Sequence, residues 1–179
     1  MAGAIKGNKL QKIDTFLFYK CNFFSSDKMK RASYWISKTG DGYAYLALGL
    51  FIWAFEPVIG QIFFLTTLLG FAIEVPVYLV LKNTVKRNRP FNILENFSSY
   101  ISPSDKFSMP SGHTAAAFVF VTICAHFYPD YTPLLLAWAC SVGISRVLLG
   151  VHFPGDVIAG GLLGYSCAEL AITVTQSGL

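Results

Sequence analysis

The sequence predicts an all-α integral membrane protein: a helical bundle with about five to six transmembrane helices and an N-terminal interfacial helix. Three observations predict it. Of the 179 residues, 54% are hydrophobic and only 13% charged, whereas soluble domains average about 25% charged. The apolar residues, 16 of them Phe, come as blocks divided by short polar breaks, without the alternation of strands or the narrow stripes of soluble amphipathic helices. Five such blocks follow one another along the chain. Lipid is therefore the main solvent.

Residues 10–24, "LQKIDTFLFYKCNFF", are interrupted by Lys12, Asp14 and Lys20, and the uninterrupted part is too short for about 30 Å of hydrocarbon. An amphipathic helix lying in the interface fits this pattern. The polar stretch "SSDKMKRASYWISKTGDG" follows, with Gly40, Asp41 and Gly42 marking a turn. Residues 1–42 thus form an amino-terminal amphipathic segment and 43–179 the transmembrane domain. No continuous apolar core with a small-residue cleavage site precedes Tyr43, so a removable signal peptide is not expected. Candidate spans run over 43–55, 58–82, 112–127, 132–150 and 155–174, the first being short for a crossing. The brief breaks at Glu56–Pro57 and at "YPDYTP" imply antiparallel neighbours. The one long connection, 90–111, has the length of a functional loop.

With alternating crossings, the end of the second span, the start of the third, the end of the fourth and the start of the fifth share one membrane face. The polar residues concentrate there. Lys82, Lys86, Arg87 and Arg89 close the second span, and 82, 86 and 89 lie on one face if the helix continues. They would otherwise read as a basic collar reaching to lipid headgroups. Pro90 is expected to stop that helix. In "PSGHTAAAF", Ser111 suits the N-cap, and the free N–H groups of the first turn, with Gly112 allowing close approach, form an anion site next to His113. Arg146 can fork onto two phosphate oxygens. Asp156, just inside the last helix, can accept the proton of one His152 ring nitrogen and leave the other free as a nucleophile.

Rival readings are weaker. A metal held by two His and one Asp would be repelled by the cations around it. Acyl transfer from Ser111 would leave Lys82, Arg89 and Arg146 without purpose and lacks a strand-turn-helix elbow. Nucleic-acid binding lacks a soluble basic face. Cys21, Cys124, Cys140 and Cys167 have no paired spacing and read as packing residues. Glu74, an acid inside a span, is a functional candidate or a packed polar residue beside Pro76. Asn92, Asn96, Tyr100 and Asp105 could select a headgroup or simply face solvent, and His126, Trp53 and Trp138 read as interface or packing residues.

Three segments, "KNTVKRNRP" (82–90), "PSGH" (110–113) and "SRVLLGVHFPGD" (145–156), resemble in order the three motifs of the type 2 phosphatidic acid phosphatase superfamily. All eleven fixed positions match, each filled by chance roughly one time in twenty. The resemblance spans about residues 40–174. It implies that His152 is the nucleophile forming a phosphohistidine, with Asp156 its orienting partner. It implies that His113 is the acid for the leaving oxygen, and that Lys82, Arg89, Ser111, Gly112 and Arg146 cradle the phosphate. It implies no metal or other cofactor.

The expected function is thus removal of a terminal phosphate from a membrane lipid: phosphatidic acid, phosphatidylglycerophosphate, undecaprenyl diphosphate or lipid A phosphate. A vanadate-dependent haloperoxidase and a non-catalytic receptor or scaffold that binds lipid phosphate are the alternatives; the membrane spans argue against the first and the His152–Asp156 pair against the second. The expected partners are the lipid phosphate and the bilayer, with no nucleic acid. Positive charge in the first 38 residues, read alone, puts the site on the cytoplasmic face. Bacterial relatives usually have six crossings and a site facing away from the cytoplasm, so the resemblance implies the inner membrane with the site facing the periplasm or outside.

Overall fold

The computed structural model describes residues 9–178; the first eight residues of the amino-terminal segment and Leu179 lie outside the described residues. The helices are α1 (Lys9–Phe23), α2 (Asp27–Thr39), α3 (Gly42–Phe55), α4 (Pro57–Val85), α5 (Pro90–Ile93), α6 (Gly112–Phe127), α7 (Thr132–Leu148) and α8 (Pro154–Gly178), with a 3-10 turn at Pro129–Tyr131. There is no strand among the described residues. Among the described residues, three segments, Pro57–Ile93, Pro129–Leu148 and Pro154–Ser177, are long and apolar enough to cross a membrane, while α3 and α6 are shorter apolar helices. At 1.5 Å per residue, the 14 residues of α3 extend only about 21 Å, which matches the shortness expected of that span.

The centre of the bundle is α6, whose Ala115, Ala117, Val119 and Ile123 are fully buried. Its small residues allow α8 to approach closely. A Cβ on Gly164 would lie 2.1 Å from the Ala115 carbonyl oxygen, and one on Gly160 2.5 Å from that of Ser111. Such small-residue seams let backbones meet where no hydrophobic effect drives helices together. Thr66 of α4 adds a hydroxyl contact to Thr175 of α8 at 3.2 Å. Phe63 of α4, Phe120 of α6 and Tyr45 of α3 close the core, and Leu50, Phe51, Val80, Ile158 and Leu162 face outward.

Three local outcomes differ from the sequence reading. The polar stretch before Gly40 is largely a helix, α2: the Ser26 hydroxyl accepts the Met29 N–H, Asp27 sits in the first turn, and both favour a helix start. Of its buried Ser33 and Ser37, Ser37 meets Arg146 of α7. The α4 helix stops at Val85, with Lys86 left-handed at φ 50°, so Arg89 does not continue the Lys82 face, and Lys86 is exposed. Pro90 consequently ends no helix; it opens the single turn α5, where its missing N–H costs nothing. The rest of the long connection is pinned to the bundle by the Tyr100 N–H on Leu149 O (2.9 Å) and the Ser108 N–H on Arg87 O (2.8 Å).

Candidate active site

The C-termini of α2, α4 and α7 and the N-termini of α3, α6 and α8 meet at one end of the bundle. A cavity of about 350 Å³ opens there, and Lys82, Arg89, Gly112, His113, Arg146 and His152 all reach its wall. Six of the eight residues singled out from the sequence therefore line one space. The other two stand behind it: Ser111 and Asp156 are fully buried. Ser111 occupies the N-cap position of α6, but its side chain caps no backbone N–H. Its hydroxyl accepts a bond from Thr114 at 2.9 Å, and its own N–H donates to Asp156 O at 3.0 Å. This leaves the first N–H groups of α6 free to meet an anion.

His152 sits in the turn between α7 and α8. The Arg146 carbonyl fixes that turn by accepting the Val151 and His152 N–H groups at 3.2 and 3.3 Å. The ring Nε2 lies 3.4 Å from Arg89 Nη1, on the cavity side. Nδ1 lies 3.6 Å from Asp156 Oδ2, within ion-pair range but long for a hydrogen bond. Burial holds the imidazole down at about pKa 4; Asp156 opposes that and Arg146 and Arg89 add to it. At ordinary pH the ring is therefore neutral, the state a nucleophile needs.

Arg89 is 2% exposed and is held by the Val151 carbonyl at 2.7 Å. The Arg146 guanidinium bonds Ser37 of α2 at 2.6 Å. His113 Nε2 lies 3.1 Å from Asp41 Oδ1, in the turn between α2 and α3. Neither Ser37 nor Asp41 could be found from motif spacing, because they come from the segment that resembles no motif. Tyr78 was also missed, although it sits one turn before Lys82 on the same face.

Of the four loop residues that could select a headgroup, Asp105 reaches the cavity wall. Its carboxylate takes Lys82 Nζ at 2.6 Å and the Tyr78 hydroxyl at 2.7 Å, and it pairs with the Arg89 guanidinium. Burial works to raise its pKa, but the bonds from Lys82 and Tyr78 and the charges of Lys82 and Arg89 prevail and hold it near about 2. The cationic cradle thus takes an oxyanion. Asn92, Asn96 and Tyr100 remain exposed on the loop. Glu74 is buried in α4 and borders the cavity floor. Trp53 stacks on Phe64, Trp138 donates to Thr39, and His126 meets Gln176 at the end of α6 remote from the cavity. Cys124 and Cys167 are buried, while Cys21 and Cys140 are exposed.

Cationic side chains, a helix mouth and a buried histidine thus surround one cavity at the end of an apolar helical bundle. The sequence model of the PAP2 superfamily matches residues 60–177, and the chain belongs to that family. It is an integral membrane protein of helical type. Phosphatidylglycerophosphatase B of Bacillus subtilis is 32% identical over 149 residues, covering 73% of this chain and 70% of that protein. The bacitracin transport permease protein BcrC of Bacillus licheniformis is 31% identical over 121 residues (67% of this chain, 60% of that one). A lipid A 1-phosphatase of Rhizobium johnstonii is 33% identical over 105 residues (56% and 43%). Against the last two, the chain spans only about half of the relative's length. The crystal structure of Aquifex aeolicus LpxE superposes with a TM-score of 0.81 at 25% identity, over 96% of this chain and 99% of that one.

Proposed function

We propose that this protein is a metal-independent lipid phosphate phosphatase working through a phosphohistidine. The observation that carries the reading is the convergence of His152 Nε2 with Lys82, Arg89, Arg146 and the α6 N-terminus on one cavity. Binding alone would need no neutral, carboxylate-backed imidazole. In the first step the Nε2 lone pair attacks phosphorus, the P–O bond to the lipid breaks, and the leaving oxygen takes a proton from the imidazolium form of His113, which the Asp41 carboxylate at 3.1 Å favours. Water then attacks the phosphohistidine with His113 accepting its proton, which releases inorganic phosphate and restores the neutral ring. Lys82, Arg89, Arg146 and the Gly112 N–H stabilise the equatorial oxygens, the electrostatic task that dominates phosphoryl transfer. Ser111 fixes the α6 entry, and Asp156 orients His152. Three cations on the cavity wall neutralise a phosphoryl group and repel a divalent metal, which supports metal independence.

A cavity at the level of the helix ends, with Phe71, Val75 and Leu79 of α4 on its wall, suits a substrate whose headgroup is polar and whose tail stays in lipid. Phosphate release from phosphatidic acid, phosphatidylglycerophosphate, undecaprenyl diphosphate and lipid A, measured in detergent with and without a chelator, tests the reading. Activity that survives the chelator and vanishes in His152→Ala is expected. Chelator-sensitive turnover overturns the metal-independent mechanism, and a turnover near wild type in His152→Ala removes it as nucleophile. The same reading places the protein in a bacterial inner membrane with the cavity facing away from the cytoplasm. Thiol labelling of Asn92→Cys and Ser177→Cys in intact cells, in a background without the native cysteines, tests it: only the Asn92 position is expected to react.

A further inference from the structure

We propose that Arg87 and Asp14 are positioning residues for the His152–Asp156 pair, forming a polar chain Asp14–Arg87–Asp156 that ties helix α1 to the nucleophile. The inference rests on the phosphatase reading above. Arg87 belongs to none of the positions assigned to the cradle, and it does not line the main cavity. It borders a separate groove on the far side of the His152 turn, together with Asp14 and Gly155. Whatever it does for the reaction, it does through another residue.

The geometry identifies which one. The guanidinium forks, with Nη1 donating to Asp156 Oδ1 at 2.7 Å and Nη2 to Asp14 Oδ2 at 2.6 Å. The other Asp156 oxygen accepts the Phe153 N–H at 2.8 Å and faces His152. The other Asp14 oxygen accepts the Gly155 N–H at 2.8 Å, in the first turn of α8. Every oxygen of the two carboxylates is therefore committed, and the chain closes on the backbone either side of Pro154. The guanidinium also lies over the Phe153 ring, 4.3 Å from its centroid, and Phe18 of α1 packs on the same ring at 5.3 Å. Gly155 has no room for a side chain, since a Cβ would come within 2.7 Å of the Asp14 carboxylate.

A fully buried carboxylate requires a compensating charge. The neutral His152 cannot supply one, and among the described residues Arg87, 19% exposed, is the cation bonded to Asp156. Without Arg87, Asp156 must take up a proton or turn toward water, and either change frees the imidazole to rotate. Asp14 keeps the guanidinium fork in plane and anchors α1, whose other side presents Phe16 and Phe23 to the surroundings. An interfacial helix seated in lipid is thereby wired to the catalytic turn.

The test compares wild type, Arg87→Ala, Arg87→Lys and Asp14→Asn in detergent, reading kcat and KM separately, the rate of acid-quenched phosphohistidine formation, and rescue by added guanidinium ion. A misplaced reacting group costs about 10²-fold, so Arg87→Ala is expected to lose about that in kcat and in phosphohistidine formation with KM nearly unchanged. Guanidinium should restore part of the loss, Arg87→Lys should be intermediate, and Asp14→Asn, which keeps shape and removes charge, should lower kcat by about tenfold on the same argument. Wild-type kcat in folded Arg87→Ala, or a rise in KM with kcat intact, overturns the positioning role alone. Should Arg87→Ala not fold, full kcat and full phosphohistidine formation in Asp14→Asn overturn it. Absence of phosphate release by wild type overturns the functional reading and this inference together.

Discussion

Replacing Asp105 by Asn is expected to tighten binding of phosphate, although the residue contacts two members of the cradle. The Asp105 carboxylate bonds Lys82 and Tyr78 and pairs with Arg89, so a phosphoryl group must displace it to reach the same donors. Its pKa, held from 3.8 down to about 2 although burial works the other way, reflects that attraction, on the order of 2–3 kcal/mol before solvent screening. The side chain is 37% exposed, and solvent screening reduces that to about 1–2 kcal/mol. That corresponds to about a 5- to 30-fold change in an equilibrium constant. Asn keeps the volume and a carbonyl acceptor but loses the charge, so inhibition by inorganic phosphate or orthovanadate should strengthen by about that factor. Without anion the variant should melt lower, since Lys82 and Arg89 face each other uncompensated, and added phosphate should raise its melting temperature more than that of wild type. Because Asp105 stays ionised well below pH 5, the lower melting temperature of the anion-free variant should appear at both pH 5.5 and pH 8. Unchanged or weaker inhibition would refute the reasoning and make Asp105 an aid to substrate binding.

Other perturbations follow from the same geometry. Arg146→Lys keeps a charge but loses the planar fork that reaches both Ser37 and the cavity, and kcat should fall by about 10²-fold or more. Gly164→Ala places a methyl group against the Ala115 carbonyl, and such overpacking should cost about 1–3 kcal/mol, read as a lower melting temperature in detergent. His152 is neutral in the fold down to about pH 4, whereas the unfolded chain protonates it near pH 6.5; the unfolded state thus binds more protons between these values. The His152 contribution to stability should be full above pH 6.5 and decline as pH falls toward 4, by up to about 3 kcal/mol, and His152→Gln, which cannot titrate, should remove that contribution and make the decline shallower.

The helical membrane class was legible in composition, because a chain this apolar can hide its backbone polar groups from lipid only inside helices. Spans, too, were readable to within a few residues, since hydropathy is a local property. The three-motif set was equally local: Lys82, Arg89, Gly112, His113, Arg146 and His152 reach one cavity, as alternation of crossings requires. What spacing could not reveal is contact between segments that share no pattern. Helix α2 reads as a polar stretch because its apolar residues are few, yet it supplies Ser37 to Arg146 and leads into Asp41 beside His113. The stop of α4 at Val85 follows from a left-handed Lys86 that no periodicity announces, and it is this stop that sends Arg87 to the back of the His152 turn and Arg89 to the front. Hydropathy, cap chemistry and motif order are written along the chain, one residue after another. The place of Asp105 beside Lys82 and of Asp14 behind the His152 turn depends on distances across more than 20 and more than 140 residues of chain respectively, and only packing determines those.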